Sequence, residues 1–79
     1  MNVKNEVHKV LIGMGIAPKA ITAKASFYKD LGLDSLDFAE MVMKVEQRFN
    51  VEIPALEAEN ICTIQQAIDY LNKFQKQTN

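Results

Sequence analysis

Cys62 is the only cysteine, so no disulfide can close within the chain and a reducing compartment is the natural expectation. Excess charge of either sign is also missing: 9 Lys and Arg against 10 Asp and Glu leave a formal −1 at neutral pH. Such a balance exerts no strong pull on nucleic acid or anionic lipid. No long apolar run or signal-peptide pattern opens the chain, so the expectation is a soluble, cytoplasmic monomer with no stable membrane association. Internal repeats and low-complexity stretches are absent too. The 79 residues leave room for one small domain, residues 1–79, and a hydrophobic content of 48% suffices to pack its interior.

What is present is helical periodicity. Val3, Val7, Val10, Leu11 and Met14 share one face of a first helix, which Gly13, Gly15 and Pro18 bring to an end. His8 lies on its polar side with no second base or ligand nearby in sequence. Residues 16–33 form a long connection, for which Ile21, Phe27 and Leu31 are the expected pins into the core and Ser26 the cap of a short turn. In a second helix, Leu36 to Phe49, the side chains of Phe38, Met41, Val42, Val45 and Phe49 form an inward stripe. Leu36, Ala39 and Met43 form a second stripe on the opposite side, with Glu40 and Gln47 between and beside them. That stripe is either a partner surface or ordinary scattered exposure. Residues 55–61 allow only a short helix. Thr63-Ile64-Gln65-Gln66 is a capping box that starts a last helix with Ile64, Ala67, Ile68, Leu71 and Phe74 on one face, before a polar tail, 75–79, that should fray. Cys62 is expected to be a small buried hydrophobe.

The fold class that follows is all-α: a small four-helix bundle, three main helices and one short one, with a long loop between the first and second helices. Its expected core is Val7, Leu11, Phe27, Leu31, Val42, Val45, Phe49, Ile53, Ile61, Ile68 and Leu71. Ala39, Met41 and Ala67 are small or flexible fillers that would let the interior open slightly.

The stretch with chemistry is Asp30-Leu31-Gly32-Leu33-Asp34-Ser35-Leu36-Asp37. Asp34 and Ser35 are both good N-caps, and Asp37 in the first helical turn suits the dipole. Ser35 therefore stands at a helix N-terminus near solvent. It has no base to activate it and no Gly-x-Ser-x-Gly elbow around it, so it is an acceptor for modification rather than a nucleophile, and the chain is not an enzyme. Asp30, Asp34 and Asp37 miss the calcium-loop pattern, because Gly32 and Met41 stand where oxygen ligands belong.

This motif, with Phe49-Asn50-Val51-Glu52-Ile53-Pro54 and Thr63 to Leu71 behind it, resembles the acyl carrier protein family. The resemblance spans nearly the whole chain. It implies that Ser35 is esterified with 4′-phosphopantetheine taken from coenzyme A, whose thiol carries acyl groups as thioesters. It implies as partners a phosphopantetheinyl transferase and acyl-loading, condensing and acyl-transfer enzymes, with no nucleic acid involved. The partner surface it implies is the second helix: Asp34, Leu36, Asp37, Ala39, Glu40, Met43, Lys44 and Gln47. It also implies an acyl chain sheltered between helices, in a space lined by first- and second-helix residues.

Family members that serve fatty acid synthesis usually have a strongly acidic second helix. Here Lys44 and Arg48 interrupt it, and Glu40 and Lys44 are spaced as an i, i+4 ion pair. These cations point to altered partner choice, in fatty acid synthesis or in a specialised lipid or polyketide pathway. Asp34 before the serine fits acyl carriers better than aminoacyl or peptidyl carriers, which often have histidine there. The contrasting class is an unmodified helical adaptor that binds through Leu36, Ala39 and Met43.

Overall fold

A computed structural model describes residues 2–77. The helices run in the order α1 (Val3–Gly13), α2 (Ser35–Phe49), α3 (Ala55–Ala58) and α4 (Ile64–Gln77), with a single 3-10 turn, Pro18–Ala20, in the long loop. Among the described residues no helix is long and apolar enough to cross a membrane. Of the polar tail, residues 75–77 continue α4, and Thr78 and Asn79 lie outside the described residues.

Each main helix begins with its own cap. Asn2 accepts the Asn5 N–H at 3.1 Å ahead of α1. Thr63 and Gln66 form the expected box before α4, and the Gln66 Oε1 also accepts the Cys62 N–H at 2.7 Å. The end of α2 uses Asn50 in the left-handed region, φ 55°, where asparagine is better tolerated than most residues.

Four apolar stripes meet at the centre. Val3, Val7, Val10 and Leu11 come from α1; Phe38, Met41, Val45 and Phe49 from α2; Ile64, Ala67, Ile68 and Leu71 from α4; and Ile21, Ala25, Phe27 and Leu33 from the loop. Burying each large side chain contributes roughly 1.5–3 kcal/mol before entropy is subtracted. Phe27 is fully buried and meets Phe38 edge-on, with ring centroids 5.6 Å apart.

The loop is ordered by backbone as much as by side chains. Carbonyls of Ala23 and Ala25 accept the N–H groups of Gln65 and Ile64 in the first turn of α4, and Phe27 N–H donates to the Cys62 carbonyl. Ser26 does cap a turn: its Oγ accepts Lys29 N–H at 3.2 Å, while Asp30 Oδ2 accepts Ser26 N–H at 2.7 Å.

Several expectations need correction. Leu31 and Val42 are only half-buried; Leu33 takes the core position beyond Gly32, whose φ is 71°, and Val42 faces the edge of the α2 stripe. Ala39 is exposed rather than a core filler. Cys62 is exposed, because the chain there is turned so that Ile61 and Ile64 point inward and Cys62 points out. Glu40 and Lys44 form no ion pair: both are exposed, where such a pair gains little over hydration, and Lys44 lies instead along α1.

Candidate functional site

Ser35 is the first residue of α2, one position inside the cap. Asp34 is the N-cap: its Oδ1 accepts Asp37 N–H at 2.8 Å, and Asp37 Oδ2 accepts Asp34 N–H at 3.3 Å. The two acids thus close a reciprocal box and leave the Ser35 hydroxyl without a structural task. The first helical bond is Phe38 N–H to the Asp34 carbonyl, so Ser35 and Leu36 N–H have no intrahelical acceptor. Ser26, the chain's other serine, is half-buried with its hydroxyl engaged in the loop turn. The exposed hydroxyl at a helix start is therefore Ser35 alone among the serines.

The side chains of α2 fall on three flanks, since successive residues turn by about 100°. Outermost are Leu36, Glu40, Met43 and Gln47, all exposed, with Leu36 at 81% and Met43 at 57%. The flank toward α1 holds half-buried Asp37, then Lys44 and Arg48. The flank toward α3 holds Ala39, Val42 and Glu46, which wall a groove of about 390 Å³. The second-helix residues singled out from sequence are thus divided: Asp34 and Asp37 shape the helix start, Leu36, Glu40, Met43 and Gln47 form the outer stripe, Ala39 and Met43 reach the groove, and Lys44 lies apart.

The groove is mainly apolar. Phe38, Val42, Ile53, Ala58 and Ile61 form its walls, and Tyr28 stacks on Phe38 with centroids 5.5 Å apart. No first-helix residue lines it, contrary to expectation. From α1 only Val7 reaches the adjoining interior void, of about 20 Å³, behind Val42. The reason is the interhelical packing: α1 covers the other flank of α2. Glu46 braces the link to α3 by accepting Ile53 N–H at 2.7 Å.

Sequence reasoning missed Tyr28, Leu56 and Cys62. Tyr28 and Cys62 line the groove, and Leu56 in α3 is 77% exposed. The only available signal was a leucine in a helix too short to bury two faces. Among the described residues, no group of three His, Cys, Asp or Glu side chains is arranged to hold a metal ion.

Residues 12–71 match the family of the phosphopantetheine attachment site, and the chain belongs to that family, of the acyl carrier protein type. Its cofactor is covalently attached 4′-phosphopantetheine. Domains of this family are not catalytic themselves; they carry substrates for biosynthetic enzymes and meet a phosphopantetheinyl transferase. The local structure fits such a group, with an exposed hydroxyl, unsatisfied helix-start N–H groups that favour an anion, and an apolar groove that begins one turn along α2.

Proposed function

We propose that Ser35 bears the arm and that the chain ferries acyl groups as thioesters between enzymes of fatty acid synthesis or of a related lipid or polyketide pathway. The observation that carries the assignment is the division of labour at the start of α2: Asp34 and Asp37 cap the helix, and Ser35 stands exposed with nothing to hold. When attached, the arm supplies a terminal thiol for the thioester. The Asp34 and Asp37 carboxylates, held by each other's N–H groups, repel the phosphodiester and send the arm outward. Leu36, Ala39, Glu40, Met43, Lys44 and Gln47, with the two aspartates, form the surface that meets partner enzymes.

An acyl cargo is supported by the groove beside α3. Its walls of Phe38, Val42, Ile53 and Ile61 suit an alkyl chain and offer few partners to the polar backbone of an aminoacyl or peptidyl cargo.

Intact-mass measurement after incubation with a broad-specificity phosphopantetheinyl transferase and coenzyme A tests the assignment. One arm should be added to the wild type and none to Ser35→Ala. A mass increment on the alanine variant would overturn it. The mass of any acyl group on protein from its native host would name the cargo.

A further inference from the structure

On the flank of α2 that meets α1, three cations share one groove. Lys9, Lys44 and Arg48 line it with Val10, Gly13 and Gln47, and its volume is about 390 Å³. Glu6 answers two of them: Arg48 Nε lies 2.7 Å from Glu6 Oε1, and Lys9 Nζ lies 3.4 Å from Glu6 Oε2. Lys44 has no ion-pair partner among the described residues. Three cations against one carboxylate leave the groove net positive, on a chain whose formal sum is −1.

Helix stability accounts for only part of this set. Arg48 is in the last turn of α2, where a cation suits the dipole, and it ties α2 to α1. Lys44 is in mid-helix, and Lys9 precedes the last turn of α1. The other flank of α2 has the opposite sign: Glu46 and Glu59 line the apolar groove, and Glu52 joins Glu46 around a shallower one beside Met43. Past Asp37, which occupies the first turn of the α1 flank, the later part of the exposed stripe, Met43 and Gln47, therefore runs between cations on one side and carboxylates on the other.

We infer that the Lys9–Lys44–Arg48 groove docks carboxylates displayed by a partner enzyme, and that it fixes which way round that enzyme sits on α2. The role of that enzyme rests on the Ser35 carrier function. Exposed ion pairs are individually weak and screened by salt, so such a groove steers and orients encounter without slowing release. A shuttle that must leave each enzyme quickly needs that combination. Lys44 lies nine residues beyond Ser35, about 13 Å along the helix, so docked acids stand clear of the arm's attachment end. Carboxylates suit the site better than a phosphate backbone. The cationic groove is short, and the carboxylates across α2 would repel an extended polyanion.

Amide NMR spectra of the whole chain titrated with hexaglutamate test the inference. Shifts should concentrate at Lys9, Gly13, Lys44, Gln47 and Arg48 and vanish at about 0.5 M salt. Lys9→Glu/Lys44→Glu should weaken binding roughly tenfold or more, whereas Lys19→Glu/Lys24→Glu, the same charge change in the exposed loop, should alter it less than about twofold. Equal weakening in both variants would reduce the effect to net charge and overturn the inference, as would an absence of localised shifts. Equally tight binding of a DNA duplex or of phosphatidylserine vesicles at the same amides would overturn a carboxylate-bearing partner. Transferase loading is measured separately on the same samples. Failure of the wild type to load would count against Ser35, and a loaded wild type that shows no localised shifts would count against the groove alone.

Discussion

Arg48 Nε stands 2.7 Å from Glu6 Oε1, a contact between residues 42 positions apart that closes the end of α2 onto the first half of α1. Partial burial of the Glu6 carboxylate opposes ionisation, but hydrogen bonds from Arg48 and Lys9 and their charges outweigh it. Its pKa is therefore held below the ordinary carboxylate value of 4.5. A folded-state pKa lower than the unfolded one adds stability that is fully present above the unfolded value and is lost as pH falls through the folded one.

Arg48→Ala should therefore unfold at lower urea than wild type at neutral pH, and the gap should narrow as Glu6 becomes protonated. Urea titrations followed by circular dichroism, from about pH 7 to about pH 3, check this. A gap that stays constant across that range would mean that packing of the arginine stem, not the ion pair, carries the difference.

Capping and loading should separate at the start of α2. Ser35→Ala should fold with nearly unchanged stability, because Ser35 is not the cap, whereas Asp34→Ala should lose about 0.5–2 kcal/mol. Denaturation midpoints of the two variants give the comparison. Equal losses would return the capping role to Ser35.

Met43→Glu should keep the helical circular dichroism of wild type, since Met43 is 57% exposed, and should slow acyl transfer by charging a surface that must dehydrate on docking. Val45→Glu should unfold the domain, since Val45 is buried against α1 and α4. If instead Met43→Glu lost its helix signal while Val45→Glu stayed folded, the orientation of α2 would be wrong.

At Asn50, with φ 55°, glycine should be neutral or stabilising and alanine destabilising by about 1 kcal/mol, because a Cβ without a compensating side-chain amide is strained there. Thermal midpoints of Asn50→Gly and Asn50→Ala would settle the sign. A more stable alanine variant would contradict the left-handed cap.

Periodicity made the helices legible. Apolar spacing in residues 3–14, 38–49 and 64–74 is enough to mark three amphipathic stripes, and Thr63 and Gln66 mark a helix start on their own. What escaped has a common physical origin in tertiary geometry. Glu40 and Lys44 have local ion-pair spacing, yet the pair that forms is Glu6 with Arg48, which depends on how α1 lies across α2. Cys62 sits between Ile61 and Thr63 outside any helix, where no period says which side chain turns in. The long loop is fixed largely by carbonyls of Ala23, Ala25 and Cys62, and backbone bonds leave no trace in residue type. The start of α2, with Ser35 exposed at it, was legible because capping chemistry and the motif coincide in eight consecutive residues. The groove was not, since its walls come from separate segments.

The four-residue α3 gives the groove one wall that is less firmly held than the others. It is anchored by buried Ala58 and by the Tyr70 hydroxyl, which donates to Glu57 Oε2 at 3.1 Å, while Leu56 stays in solvent. Such a segment is expected to open as a small foldon of its own, at a fraction of the global unfolding free energy. Native-state hydrogen exchange should find the amides of Ala58 and Glu59 exchanging by sub-global opening and those of Met41 and Val45 only by global unfolding. A cargo could then enter and leave past α3 while the bundle stays intact, and uniform protection of both sets would rule that route out.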